Sequence, residues 1–185
     1  MVDRELVEEA TRLLLKGIGE DPDREGLLET PARVARMYAE IAAGMDEDAS
    51  EHLARTFSVS SNDLVIERDI PFHSLCEHHM LPFYGTAAIG YIPDGRVAGL
   101  SKLARTVEVF ARRLQLQERL TSQIADALME HLAPQGVIVQ LSAEHMCMTM
   151  RGVRKPGAST VTLARRGAFE SNPGLEQRFF ELLRA

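Results

Sequence analysis

Cys76-Glu77-His78-His79 is the densest cluster of chemistry-bearing side chains in the chain. A Cys-x-x-His spacing lets a thiolate and an imidazole reach one ion from a tight turn, and zinc favours both ligands. The other cysteine, Cys147, lies 71 residues further on, so only folding can bring it to the same ion. Two other fates are open to the cysteines. They could form a disulfide, which a reducing compartment disfavours, or remain inert buried thiols. Cys76, His79 and Cys147 would leave a tetrahedral ion one position for water, whereas His78 or His73 could close the site as a fourth ligand. Two thiolates cancel the formal charge of a zinc ion. Water bound there is therefore acidified less than at a site of three neutral histidines. Such a site leans on neighbouring bases, and His78 and His145 are the candidates.

Three further segments carry charge or hydrogen-bonding groups at telling positions. His145–Arg151 reads as a strand, which places His145, Cys147, Thr149 and Arg151 on one face and Met146, Met148 and Met150 on a core-facing stripe. In Gly99-Leu100-Ser101-Lys102-Leu103-Ala104-Arg105, Lys102 and Arg105 share a face in the first turn of a helix. Free N–H groups and the helix dipole already favour an anion there, so two added cations suggest a phosphate chain. Arg151, Arg33 and Arg36 could add charge, since the planar guanidinium fork suits phosphate. In Gln115-Leu116-Gln117-Glu118-Arg119 a carboxylate could accept two hydrogen bonds from guanine N1–H and its 2-amino group. Alone, this last segment is a polar helix junction.

The elements that position these groups follow from periodicity. A first helix starts near Asp3, with Leu6, Val7, Ala10, Leu13 and Leu14 at helical spacing, and stops at Gly17 and Gly19. Thr30-Pro31 opens a second, with Thr30 as cap and Gly44 as stop. A short helix is expected around Glu51–Thr56. Leu64-Val65-Ile66, leading to Pro71, and Gly85–Ile92 read as strands, the latter before a Pro93-Asp94-Gly95 turn. Ser101 caps a helix with the stripe Leu103, Val107, Phe110 and Leu114. Another helix carries Leu120, Ile124 and Leu128 and ends before Pro134. Val137–Ser142, His145–Arg151 and a segment from Ser159 are strands, and a helix near Leu175–Leu183 closes the chain. The order is two helices, then β-β-α-α-β-β, an α+β fold with an antiparallel sheet and helices on one face. It divides into a helical arm, 1–60, and a second domain, 61–185.

A length of 185 residues suits one domain with an extension and buries about 70% of the unfolded surface. Apolar content of 45% and charged content of 26% are globular values. No apolar run approaches the roughly 18 residues of a membrane span, and the acidic, amphipathic start does not read as a signal peptide. A cytoplasmic protein without membrane contact is expected. The net charge of −6 argues against a nucleic-acid coat. It is unevenly spread, −9 over residues 1–70 and +3 over 71–185, and Arg96–Arg166 holds 11 bases against 5 acids. An anion could bind in that basic half.

Taken in order, SLCEHHMLPFYG, GYIPDGRVAGLSKLARTVEVFARRLQLQERLTSQIA and AEHMCMTMRGVRKPGASTVT closely resemble the GTP cyclohydrolase I family. GIGEDPDREGLLETPARVARMY is similar to that family's helical arm, so the likeness covers nearly the whole chain. The resemblance implies the tunnelling fold, a β-β-α-α-β-β unit preceded by helices. It also implies a homo-oligomeric ring, typically a decamer of two face-to-face pentamers, with active sites between subunits. Cys76, His79 and Cys147 would hold zinc, leaving His78 for catalysis. Zinc-activated water would attack C8 of GTP, with His145 as proton donor near purine N7 and His78 and Ser101 assisting. Formate would leave, and rearrangement would give 7,8-dihydroneopterin triphosphate. Glu118, with the backbone near Leu116 and Gln117, would read the guanine edge. Lys102, Arg105 and Arg151 would hold the triphosphate, with Arg33 or Arg36 from a neighbour.

One stretch departs from the family pattern. Leu163-Ala164-Arg165-Arg166-Gly167 brings two arginines where small residues and threonines are usual. Other readings are a tunnelling-fold nitrile reductase, which uses a cysteine without zinc, and a zinc-stabilised nucleotide-binding or regulatory oligomer. The His-x-Glu and Pro-Cys-x-x-Cys pattern of a zinc deaminase is absent.

Overall fold

The computed structural model describes residues Met1–Ala185. Helix α1 (Arg4–Gly17) starts where the Asp3 carboxylate accepts from the Leu6 N–H at 3.0 Å. Beyond its end Gly19 takes φ +89°, a value that only glycine adopts freely. Helix α2 (Thr30–Ile41) packs against α1. Thr30 is already helical and Glu29 holds the cap position without a side-chain bond, so Thr30 is not the expected cap. Pro31 still sits in the first turn, where a missing N–H costs nothing. A 3₁₀ turn at Ala43–Asp46 and α3 (Ala49–Leu53) lead to β1 (Thr56–Ser58).

Strands β2 (Val65–Cys76) and β3 (Pro82–Ile92) form a long antiparallel hairpin, with a bulge in β2 between Glu67 and Ile70. Next come β4 (Arg96–Ala98), α4 (Leu100–Ala111), β5 (Leu114–Gln115) and α5 (Gln117–Leu132). The chain continues through β6 (Gly136–His145), α6 (Met146–Thr149), β7 (Ser159–Gly167), α7 (Ala168–Ser171) and α8 (Pro173–Arg184). β1 and β4 pair with each other, each too short for alternation to reveal. The main sheet runs β5-β2-β3-β6-β7 and is antiparallel except for the brief parallel pairing of β5 with β2.

Packing follows the two periodicities. Leu103 and Val107 of α4 and Leu120, Ile124 and Leu128 of α5 bury against Ile89, Tyr91, Val139 and Leu141. Each such side chain contributes about 1.5–3 kcal/mol of burial. α8 lies on the other face of the sheet, where Phe179 packs on Ala88, Ile92 and Ile138. β3 is therefore covered on both sides at this end. At Gly85 a Cβ would stand 1.9 Å from the Ser142 carbonyl oxygen on neighbouring β6. Gly85→Ala must open the β3–β6 ladder, and we expect a loss of about 3 kcal/mol, read from urea denaturation.

Two expectations near the site change. Ser101 makes no capping bond, and Gly99 holds the cap of α4. The strand expected over His145–Arg151 ends at its first residue. Pairing of β6 stops where β7 runs out at Ser159 and β3 nears its start, with Glu144 opposite Ser159 and His145 opposite Phe83. With no partner beyond, Met146–Thr149 coils into a helical turn, closed by the Met150 N–H donating to Met146 O at 3.1 Å. His145 and Cys147 are thus not joined by strand alternation. Met148 and Met150 are exposed rather than core-packed.

A groove of about 580 Å³ lies between α2, α4 and the β2–β3 end, lined by His73, Glu108 and Arg112 among others. Burial pushes the half-buried Glu108 carboxyl up, while Arg112 and His73 pull it down and Glu47 pushes it up again. A raised carboxyl binds its proton more tightly folded than unfolded. Stability is therefore lost as pH rises from the ordinary carboxylate range through the raised value. Glu108→Gln should flatten that part of the stability profile, measured by urea melts between pH 4 and 8.

Candidate metal centre and active site

The metal-binding turn is built by the end of β2. The Cys76 N–H donates to Leu81 O at 2.9 Å, and the Met80 N–H donates to Cys76 O at 2.8 Å. Met80 takes φ +54°, strained for a side chain of its size, and so reverses the chain in few residues. Buried Cys76 and exposed His79 result on one side. The α6 turn brings in Cys147, and the three donor atoms lie within 4.8 Å of one another. A tetrahedral ion with bonds of about 2.0–2.3 Å wants donors roughly 3.4–3.8 Å apart, which small rotations supply. Two sulfurs and one imidazole fit zinc-like chemistry, so the residues fit a metal. Neither His78 nor His73 joins this group. His78 is exposed, its ring edge-on to His79 at 6.3 Å, and His73 stacks on Tyr84 at 5.8 Å.

Burial first, then the adjacent Cys76 thiol, push the Cys147 thiol up, with Arg151 opposing. A bound dication reverses this and favours the thiolates. Arg151 Nη1 lies 3.1 Å from His79 Nε2. Arginine only donates, so this contact uses the Nε2 lone pair. An ion coordinated through Nε2 would free the guanidinium for an anion.

Beside the metal-binding group, His145 Nε2 lies 2.8 Å from Gln117 Oε1, and its ring stacks on Phe83 with centroids 4.6 Å apart and planes 2° apart. Burial pushes the His145 imidazole down, and the Glu118 charge acts against it. Glu118 is exposed in the first turn of α5. The next residue, Arg119, ties the start of α5 to the metal-binding turn. Arg119 bonds the Glu77 carboxylate and donates to Gln115 Oε1 at 3.0 Å, while the Glu77 N–H donates to Gln115 O at 3.1 Å. No sequence pattern pointed to this link, because its members come from the turn after β2, from β5 and from α5.

Ser101, Lys102 and Arg105 occupy the first turns of α4, and both cations lack an acidic partner. Arg33 and Arg36 are exposed on α2, which packs on α1 and on the 3₁₀ turns at Glu25–Leu27 and Ala43–Asp46. No bond joins them to the metal-binding group within this chain.

The family model described as GTP cyclohydrolase I matches residues 7–184. The chain belongs to the GTP cyclohydrolase I family. Relatives named GTP cyclohydrolase 1 include one from Clostridium perfringens, 58% identical over 99% of both chains. Another, from Carboxydothermus hydrogenoformans, is 62% identical over 93% of this chain and 90% of its own. Among solved structures, the apo form of the archaeosine synthase QueF-Like matches with TM-score 0.50 and 19% identity, over 59% of this chain and 98% of that one. That likeness concerns the fold alone, and it places the α+β architecture among tunnelling folds.

The two arginines that depart from the GTP cyclohydrolase I pattern have structural partners. Arg165 bonds Glu176 of α8 at 2.7 Å, and Arg166 bonds Asp126 and the Ser122 hydroxyl of α5, each at 2.6 Å. They fasten β7 to the helices on its two faces. Exposed pairs of this kind contribute about 0–1 kcal/mol each.

Proposed function

We propose that the chain hydrolyses the imidazole ring of GTP, releasing formate and rearranging the remainder to 7,8-dihydroneopterin triphosphate. The convergence of Cys76, His79 and Cys147 beside His145 and the α5 N-terminus carries this reading. Cys76, His79 and Cys147 would hold zinc, which when bound supplies an acidified water for attack on C8. Glu118 accepts from guanine N1–H and the 2-amino group, and the backbone at Leu116 and Gln117 completes the base pocket. This grip sets C8 against the metal-binding group and N7 against His145. His145 delivers a proton to N7, which makes C8 more electrophilic. His78, exposed and outside the donor set, takes and returns protons on the water side. Ser101 assists the ribose steps. Lys102, Arg105 and Arg151 hold the triphosphate, aided by the free N–H groups of the first α4 turn.

The same reading takes the working form to be a cytoplasmic homo-oligomer, a decamer, with residues 1–60 as a helical arm and 61–185 as the catalytic domain. Arg33 and Arg36 would then reach the triphosphate of a neighbouring subunit. No helix is long and apolar enough to cross a membrane. The deciding experiment incubates zinc-loaded protein with GTP and measures formate and, after oxidation, a fluorescent pterin. Absence of formate under zinc-replete conditions overturns the assignment. Glu118→Gln replaces a charge-assisted grip worth about 1.5–3 kcal/mol, so kcat/KM for GTP should fall roughly 10- to 150-fold. Steady-state formate release checks this.

A further inference from the structure

Gln117 carries the most constrained polar side chain near the site. It is 1% exposed at the first residue of α5, and both ends of its amide are hydrogen-bonded inside the protein. Its Nε2 lies 2.9 Å from Thr160 O, 3.2 Å from Leu141 O and 3.1 Å from Thr162 Oγ1. Backbone carbonyls only accept, so the end of the amide facing Leu141 and Thr160 must be the NH₂ group. The flipped amide would press an oxygen against two carbonyl oxygens with no proton between them. Its Oε1 therefore faces His145 Nε2 at 2.8 Å and can only accept.

A donor is then required on the other side. We propose that Gln117 is a positioning residue for His145, holding the proton of the neutral ring on Nε2 and leaving Nδ1 as the nitrogen that exchanges protons. A neutral imidazole has one N–H, so fixing it at Nε2 leaves the lone pair on Nδ1. In giving a proton from Nδ1, the ring returns to this same Nε2–H form. Phe83, stacked 2° from parallel, holds the plane of the ring.

The amide itself is anchored by a directional chain of hydroxyls. Thr121 Oγ1 donates to Gln117 O at 2.7 Å, which spends its one proton. The bond between Thr121 Oγ1 and Thr162 Oγ1, 2.6 Å long, must then be donated by Thr162. Gln117 Nε2 has two protons for its three acceptors, so one is shared between Thr162 Oγ1 and a backbone carbonyl, and Thr162 accepts from it. Each hydroxyl proton is used once, and the set closes on itself across α5, β6 and β7. The Gln117 side chain therefore acts on His145 and not on substrate.

The role in catalysis rests on His145 being the acid of the GTP reaction, but the tautomer does not. Solid-state ¹⁵N NMR of metal-loaded, histidine-labelled protein reads the ring directly, with His145 assigned by its loss in His145→Gln. We expect a protonated Nε2 and a lone-pair Nδ1. Gln117→Leu should give mixed tautomers and lower kcat roughly 10- to 100-fold, with KM for GTP changed less than about threefold. Thr162→Val, which leaves His145 and Gln117 in place, should shift both readouts in the same direction by a smaller amount and serves if Gln117→Leu does not fold. A wild-type His145 protonated on Nδ1 would overturn the proposal. So would a Gln117→Leu or Thr162→Val enzyme with raised KM and unchanged kcat. Absence of formate from the wild type would instead reject the reaction, while the tautomer result would stand on its own.

Discussion

Cys147→Ala is expected to yield a folded protein that has lost its metal and at least about 10³-fold of its GTP ring-opening rate. Cys147 is half-buried on the α6 turn at the edge of the core, so removing its sulfur leaves the sheet and its two helices intact. The donor set falls from three to two, below what catalytic zinc sites retain. On the proposed reading, losing the ion would remove the acidification that the metal would supply to the attacking water. Metal analysis of the purified protein, formate release and circular dichroism together check this. Metal retained at one ion per chain, or turnover within about tenfold of wild type, would contradict it. The same measurement on the wild type separates the nitrile-reductase reading, which predicts no bound zinc.

His145→Ala should produce the complementary result, metal retained and kcat lowered by about 10²- to 10⁴-fold, the usual contribution of a positioned general acid. His145 is outside the donor group, so zinc content is expected to match wild type. The truncation also leaves Gln117 Oε1 without its partner, a cost of about 1–3 kcal/mol if no water replaces the ring. A thermal melt measures that cost separately from turnover. A kcat within about threefold of wild type would remove His145 from the mechanism.

Some of this arrangement was legible from residue types and spacing, and the reasons are local. Leu103, Val107, Leu120, Ile124 and Leu128 recur at the period of a helix because one stripe of each helix faces the sheet. The strands read at Leu64–Ile66 and Gly85–Ile92 belong to β2 and β3, but β2 runs on to Cys76 and β3 begins at Pro82. Several details did not follow, among them Leu114, which lies on β5 and not on the α4 stripe. Thr30 and Ser101 look like caps, but the backbone enters each helix one or two residues earlier, at Glu29 and Gly99. Alternation in His145–Arg151 suggested a strand, yet a strand exists only where a partner supplies its hydrogen bonds, and β3 and β7 stop short. The β1–β4 ribbon is too short for any pattern.

By itself, the sequence determined the chemistry available, namely two thiols, a Cys-x-x-His turn, a basic α4 start and a carboxylate at the α5 start, in an order similar to the GTP cyclohydrolase I family. These are properties of side-chain type and short spacing, which survive without knowledge of the fold. Only the tertiary structure decided that Cys147 comes within 4.8 Å of the other donors while His78 and His73 stay out of the group. It also decided that Gln117 faces inward to His145, that Glu77 and Arg119 tie the metal-binding turn to α5, and that Arg165 and Arg166 brace β7. Each of these depends on strand register and chain reversal over tens of residues. A one-residue slip would turn the strand residues His73, His145, Arg165 and Arg166 to the opposite face, and the turns and helix ends that carry the other groups are placed by the packing of the same sheet rather than by any local motif.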